Sequence, residues 1–201
     1  TYALRVGGEY ADITILERPG GGSIGIQSSF GSYANTWNAI GEGPFRKFLC
    51  RLDRGYFFSK CMGNDYLEFD CEATVKEIKQ DIIQCRRDGE VGKEDAREIW
   101  DSLPDDRLAT SLYAEMGSYD FDELVNKIYG GNVVDFPHIT RVKCDCRNFW
   151  EQIWPYACEV WRKELSEETS NTTTITPEER ERLRGILSEH GNGQVEDRII
   201  L

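Results

Sequence analysis

Gln27, Ser28, Ser29, Tyr33, Asn35 and Trp37 gather side-chain amides, hydroxyls and two aromatic rings in a stretch that holds no carboxylate. Polar groups of this kind, flanked by rings and free of negative charge, suit a nucleotide or another anionic metabolite. The glycines around them permit close approach of the backbone. Gln27, Ser28, Ser29 and Asn35 are therefore the candidate ligand-contacting residues. The plain alternative is a set of turn-forming hydroxyls and packed rings.

A second constellation follows directly. Lys47, Arg51 and Arg54 recur at spacings of four and three, and Tyr56, Phe57 and Phe58 lie beside them. Arginine and aromatic side chains are enriched at the energetic centres of protein interfaces. Tyr33, Trp37, Lys47, Arg51, Arg54 and Tyr56 are thus the candidate partner-binding residues, and an ordinary polar helix face is the alternative. Residues 23–60 contain only two carboxylates, Glu42 and Asp53, in a chain with 36.

Other chemistry is thinly represented. No dinucleotide-binding or phosphate-binding glycine loop is present, and no HExxH, EF-hand or GxSxG pattern. The run Gly20-Gly21-Gly22-Ser23 could form an anion-binding nest of backbone N–H groups, although a hairpin turn explains it more simply. His138 lies three residues after Asp135, a spacing compatible with a general-base pair, but no partnered nucleophile accompanies it. His190 falls near the end of an expected helix, where its charge would suit the dipole. Cys144 and Cys146, with His138 before and Cys158 after, have zinc-ligand content but lack the paired knuckles of structural zinc sites. Cys158 also falls on an apolar helical stripe, where cysteine behaves as a small hydrophobe. No catalytic residue, metal or cofactor is assigned, and the residues point away from an enzyme.

Charge is divided unevenly. The net charge is −12. Residues 63–135 carry most of the acid, while residues 1–62 hold a slight excess of bases. A net acidic chain does not suit general nucleic-acid binding, which needs phosphates neutralised. The acidic segment has two readings: solvated helix faces, or carboxylates arrayed as a nucleic-acid mimic that would occupy a basic groove. The seven cysteines show no secreted framework and suggest reduced thiols in a cytosol. No apolar run approaches the ~20 residues that span a bilayer, and the opening TYALRV lacks a signal-peptide pattern.

The elements that must position these residues are partly visible. Tyr2, Leu4 and Val6, then Ile13 and Ile15, then Ile24 and Ile26, alternate with polar or small residues between glycine turns. Period-two runs of this kind predict short antiparallel strands, the last continuing through Phe30. Leu67, Phe69 and Cys71 alternate similarly and could add a fourth strand to them. Residues 31–43 read as a loop. Pro44 to Arg54 reads as one amphipathic helix, with Phe45, Phe48, Leu49 and Leu52 on its apolar side.

Helical spacing then dominates: Val75, Ile78, Ile82 and Cys85; Ala96, Ile99, Trp100 and Leu103; Leu108, Leu112 and Met116; and Phe121, Leu124, Val125 and Ile128 after a Ser118 cap. His138 to Cys144 reads as a strand or an extended connector. Asp145 can cap a long helix in which Pro155 imposes a kink or a restart. Residues 166–176 read as a polar linker. Thr176-Pro177-Glu178-Glu179 has the signature of a helix start, and that helix should run to about His190.

Ile26-Gln27-Ser28-Ser29-Phe30-Gly31-Ser32-Tyr33, followed by Trp37, Pro44-Phe45, Phe48-Leu49, Asp53, Tyr56 and Lys60, resembles a segment of uncharacterised accessory proteins from tailed phages and prophages. The resemblance covers residues 13–62. It implies expression from a viral genome in a host bacterial cytoplasm. It also implies a small non-enzymatic protein of the kind that binds and redirects a host protein, defence machinery included.

The expected fold class is α+β: a small N-terminal antiparallel sheet packed against a mainly helical remainder, with an appended C-terminal helix. The expected division is one domain over 1–165 (β-rich 1–71, helical 72–165), a linker at 166–176, and a terminal helix and tail over 177–201. The expected function is stoichiometric occlusion of a host or phage protein, modulating or inhibiting it. The alternatives are a ligand-binding protein or enzyme with its site at 27–37, and an acidic nucleic-acid mimic. Homo-oligomerisation stays open; membrane association and direct nucleic-acid binding are not expected.

Overall fold

The computed structural model describes residues 1–104 and 111–172. The fold is α+β, with a four-stranded antiparallel sheet at the N-terminus and a mainly helical remainder. The chain falls into two compact units. One is built from residues 1–61 and the chain from 148 onward, and the other from residues 62–147.

The first unit opens with a meander of β1 (Tyr2–Val6), β2 (Glu9–Arg18), β3 (Gly21–Ser28) and β4 (Gly31–Trp37), in that order across the sheet. The register places Ile13 opposite Ile26 and Ile26 opposite Tyr33. With a side-chain period of two, Ala11, Ile13, Ile24, Ile26, Tyr33 and Trp37 share one face, and all are buried. The other face carries Arg5, Thr14, Gln27, Ser32, Ala34 and Thr36, all exposed.

β4 takes up residues 31–37 of the loop expected at 31–43, while residues 38–43 remain outside regular structure. Its Gly, Ser, Ala and Asn disfavour strands in isolation, but Tyr33 and Trp37 alternate inward and β3 supplies the ladder. Gly31, at φ +116°, turns the chain into it.

The apolar face is covered by α1 (Phe45–Leu49), α2 (Arg54–Met62) and the helical stretch from 149 on. Tyr33 lies edge-on to Phe57 and Phe58 and 4.8 Å from the Phe149 ring. Trp154 and Trp161 continue the aromatic layer to Tyr2. Each such ring pair adds about 0.5–1.5 kcal/mol beyond its buried area. Trp161 is fully buried, and its indole nitrogen has no hydrogen-bond partner among the described residues.

The single helix expected over 44–54 is divided. α1 ends at Leu49, Cys50 closes it, and α2 starts at Arg54. Asp53 starts the second helix: its side chain accepts from the N–H of Tyr56 and its carbonyl from that of Phe57. The division lets Phe57 and Phe58 point into the core.

The final helical stretch contains α7 (Cys144–Asn148), a π-helical turn (Phe149–Ile153) and α8 (Trp154–Thr172). Pro155 is the second residue of α8. It has no N–H to return to the preceding turn, and the N–H of Trp154 bonds the Phe149 carbonyl five residues back. The proline thus restarts the helix, as its position implies.

α8 then runs through residues 166–172, where a linker was expected. Ser166, Thr169 and Ser170 return their hydroxyls to carbonyls three or four residues earlier, so the polar run is accommodated within the helix. Residues 173–176, the terminal helix expected at 177–190, His190 and the tail lie outside the described residues.

The second unit contains β5 (Leu67–Phe69), α3 (Cys71–Asp88), α4 (Lys93–Ser102), α5 (Leu112–Glu115), α6 (Ser118–Tyr129), a 3-10 turn (Val133–Asp135) and β6 (Thr140–Val142). β5 pairs with β6 in a separate two-stranded sheet and does not join the N-terminal meander. The cross-strand ion pair of Glu68 with Arg141, at 2.8 Å, fits that register. Asp70 caps α3 by accepting from the Ala73 N–H.

The expected helical spacings are found in α3, α4 and α6. Gly117, one residue before the expected cap, precedes α6. Leu108 lies outside the described residues. Val75, Ile78, Ile82, Ile99, Leu124 and Ile128 form this unit's own core.

Candidate functional site

The two candidate constellations fare differently. Tyr33 and Trp37 are core residues, 3% and 6% exposed. The Tyr33 hydroxyl donates to the Phe30 carbonyl at 2.6 Å and closes the β3–β4 turn. The Trp37 ring packs on Phe45 and Phe48.

The candidate ligand contacts do not converge. Gln27 is on the exposed face of the sheet, where its carbonyl oxygen accepts from Ser32. Ser28 is buried on the opposite face and donates to the Gly31 carbonyl. Ser29 accepts from the Tyr10 N–H. Asn35 is opposite Ile24 and so shares the inner face. One ligand cannot touch both Gln27 and Asn35 across the thickness of a sheet.

The glycine run at 20–22 also has a packing explanation. A Cβ on Gly21 would overlap the Trp37 carbonyl oxygen, and one on Gly22 would overlap the Phe45 ring. Gly21 lets the neighbouring strand β4 approach closely, and Gly22 does the same for the helical layer through Phe45.

What remains exposed is the basic shoulder of α1 and α2. Phe45 and Leu49 are buried on one side of α1, which leaves Lys47 pointing outward. Arg51 is exposed in the turn after α1. Lys47 and Arg51 make no ion pair among the described residues. Arg54, at the start of α2, approaches Glu151 at 3.8 Å. Tyr56 is 39% exposed. Its hydroxyl accepts from the Trp37 indole at 3.3 Å, and the Lys60 ammonium sits 5.4 Å over its ring. The three cations therefore occupy two helices and a turn, not one helical stripe.

Arg46, immediately before Lys47 in sequence, behaves in the opposite way and was not singled out by spacing. Its side chain is 14% exposed and ion-paired with three carboxylates. Nε bonds Glu17 at 2.6 Å, Nη1 bonds Glu164 at 2.9 Å, and Nη2 bonds Glu168 at 2.9 Å. The Tyr2 hydroxyl donates to the same Glu164 oxygen at 2.6 Å. Partial burial opposes the Arg46 charge, but the bonds to Glu17, Glu168 and Glu164 outweigh it and hold its pKa above the ordinary arginine value. Burial, with the bond to Glu164 next, raises the Tyr2 phenol. This cluster ties β1, β2, α1 and α8 together.

The remaining chemistry-bearing residues are engaged elsewhere. The Asp135 carboxylate accepts from Asn132, while the His138 ring leans on Phe69 at 5.1 Å. Cys146 is buried with its sulfur 3.8 Å from that of Met62. The described residues bring no three His, Cys, Asp or Glu side chains into a metal-binding group.

Carboxylates of the second unit are partly neutralised in place. Lys127 pairs with Asp95 and Glu123, Arg97 with Asp101, and Arg141 with Glu68. No described helix is long and apolar enough to cross a membrane.

No curated protein and no solved structure matches the chain. A family model described as a phage family matches residues 2–163, which include the whole of residues 62–147 and every candidate ligand-contacting and partner-binding residue above. The chain belongs to that phage protein family, Phage_phiTE_072.

Proposed function

We propose that this phage protein binds a host or phage protein stoichiometrically and modulates or inhibits it by occlusion, with the basic shoulder of α1 and α2 as the docking surface. The observation that carries this reading is the contrast within one short segment. Arg46 is held by three carboxylates, while Lys47 and Arg51, one and five residues after it, are exposed and make no ion pair among the described residues. In a chain of net charge −12, unpaired cations are available to an acidic patch on another protein.

Tyr56 supplies an aromatic contact beside them, fixed from below by Trp37. Arg54 is already near Glu151 and would have to exchange that partner. Seven free thiols suit action in the host bacterial cytoplasm. Defence machinery is a target class in keeping with a phage origin.

The other readings have less support. A ligand site at 27–37 would need Gln27 and Asn35 on one side of the sheet. A nucleic-acid mimic would need carboxylates freer than those held by Lys127, Arg97 and Arg141.

The test is affinity capture of the partner from host lysate, followed by titration of the purified pair. Charge reversal at Lys47→Glu with Arg51→Glu should weaken binding at least tenfold and leave the thermal midpoint unchanged. Binding that survives the double reversal removes this surface from the account.

A further inference from the structure

Cys50 and Cys158 are 108 positions apart in sequence and adjacent in the fold. Cys50 closes α1, and Cys158 is on the face of α8 against which α1 packs. The Cys50 thiol donates to the Cys158 backbone carbonyl oxygen, 3.7 Å away, which brings the two cysteines side by side. Cys158 is 2% exposed, while Cys50 retains a path to solvent. Arg162, one turn further along α8, directs its charge at both sulfurs. Neither thiol has a part in the docking surface proposed above.

We infer that Cys50 and Cys158 form a reactive thiol pair that a hydroperoxide converts to an intramolecular disulfide joining α1 to α8. Cys50 is the attacking sulfur. The neighbouring Cys158 side chain lowers its pKa against the effect of burial, and the Arg162 charge lowers it further. Cys158 is shifted upward by the Cys50 side chain and by burial, so it remains a protonated thiol. One thiol favoured as thiolate beside one kept as thiol is the arrangement of an attacking and a resolving cysteine.

In the first step the Cys50 thiolate attacks the terminal peroxide oxygen. An S–O bond forms, the O–O bond breaks, and the departing alkoxide or hydroxide takes a proton and leaves as alcohol or water. In the second step the Cys158 sulfur attacks the Cys50 sulfenic acid. The S–S bond forms, the S–O bond breaks, and the hydroxyl leaves as water with the Cys158 proton. Two electrons pass from the sulfurs to the peroxide. A dithiol reductant reverses the change by exchange.

The other cysteines offer weaker sites. Burial pushes the Cys61 thiol up to about 12. Cys85 is also raised, by burial first and by Glu90 next. Cys144 is exposed, with Arg147 3.7 Å from its sulfur, and is the competing site of oxidation.

The experiment treats the full reduced chain with hydrogen peroxide, caps remaining thiols with N-ethylmaleimide, and maps the unreduced digest by mass spectrometry. The expected result is a peptide linking positions 50 and 158, lighter by two hydrogens, separated again by dithiothreitol, and retained in Cys144→Ser. In Cys158→Ser the expected result is a dimedone-reactive sulfenic acid at Cys50. Both Cys50 and Cys158 capped while Cys144 is oxidised would overturn the inference, as would linkage of Cys50 to any other cysteine. If Cys158→Ser fails to fold, the maps of the unmodified chain and of Cys144→Ser still decide the question.

Discussion

The buried indole N–H of Trp37 donates to the half-exposed hydroxyl of Tyr56, 3.3 Å away. An aromatic residue with the profile of a surface anchor therefore serves beneath the surface, holding another ring in position above it. Tyr56→Phe removes the acceptor and leaves a buried donor unpaired. The expected loss is about 1–2 kcal/mol of stability in urea unfolding, with a change in tryptophan emission. Unchanged stability would mean that the indole finds water instead.

Gly22 and Gly25 form a matched pair on one strand. A methyl group at Gly22 meets the buried Phe45 ring, whereas one at Gly25 meets nothing within 4 Å. Gly22→Ala should cost about 1–3 kcal/mol through overpacking. Gly25→Ala should be neutral or stabilising by about 0.5–1 kcal/mol, since the backbone loses freedom in the unfolded chain. Thermal midpoints of the two variants check the contrast, and equal effects would contradict the packing described for Phe45.

Arg46→Met leaves Glu17, Glu164 and Glu168 facing one another without their cation. Because these carboxylates retain solvent, the expected cost is on the order of 2 kcal/mol, below that of a fully buried pair. Arg46→Lys keeps the charge but not the fork that reaches three acceptors, so it should recover only part of the loss. Urea midpoints for both variants provide the measure, and full recovery by lysine would show that charge alone matters.

Alkaline pH should weaken the fold through Cys61. Its folded-state pKa, raised by burial from 9.0 to about 12, keeps it protonated while the unfolded chain ionises. The unfolded state then binds fewer protons than the folded one, so stability falls as pH rises between those values. The slope from this one group is at most about 1.4 kcal/mol per pH unit. Cys61→Ala should flatten the pH dependence of the urea midpoint above pH 9 by that amount, and an unchanged slope would place the thiol in contact with solvent.

The parts of the fold that could be read in the sequence are those where one local pattern decides the outcome. Ile13, Ile15, Ile24 and Ile26 alternate between glycine turns, and they are the paired strands β2 and β3. Ile78, Ile82, Ile99 and Leu124 follow helical spacing and form the core of the second unit. β4 could not be read this way because its residues are poor strand formers individually, and it exists through pairing with β3. The β5 partner was hidden for a related reason: Leu67–Phe69 shows that a strand exists, but the alternation says nothing about which strand completes it.

At the candidate site, Lys47 and Arg51 are exposed as their polarity suggests. Tyr33 and Trp37 are buried because their strand turns that face toward Phe45, Phe57 and Phe149. Arg46 left no signal, since an arginine next to a lysine reads as solvated. Its three carboxylates come from positions 17, 164 and 168, and only the tertiary fold brings them to it.

Synthesis runs against this order of packing. The sheet, α1 and α2 leave the ribosome before residues 62–147, yet Phe149, Ile153, Trp154 and Trp161 belong to their core and are encoded after that whole stretch. At ~5–20 residues per second the apolar face of the sheet waits on the order of ten seconds for its cover. The second unit has its own apolar core and can close during that interval. The sheet is thus made before the second unit and completed after it, and the nascent chain is most exposed to aggregation and to chaperones while Tyr33 lacks Phe149 and Phe57 lacks Trp154.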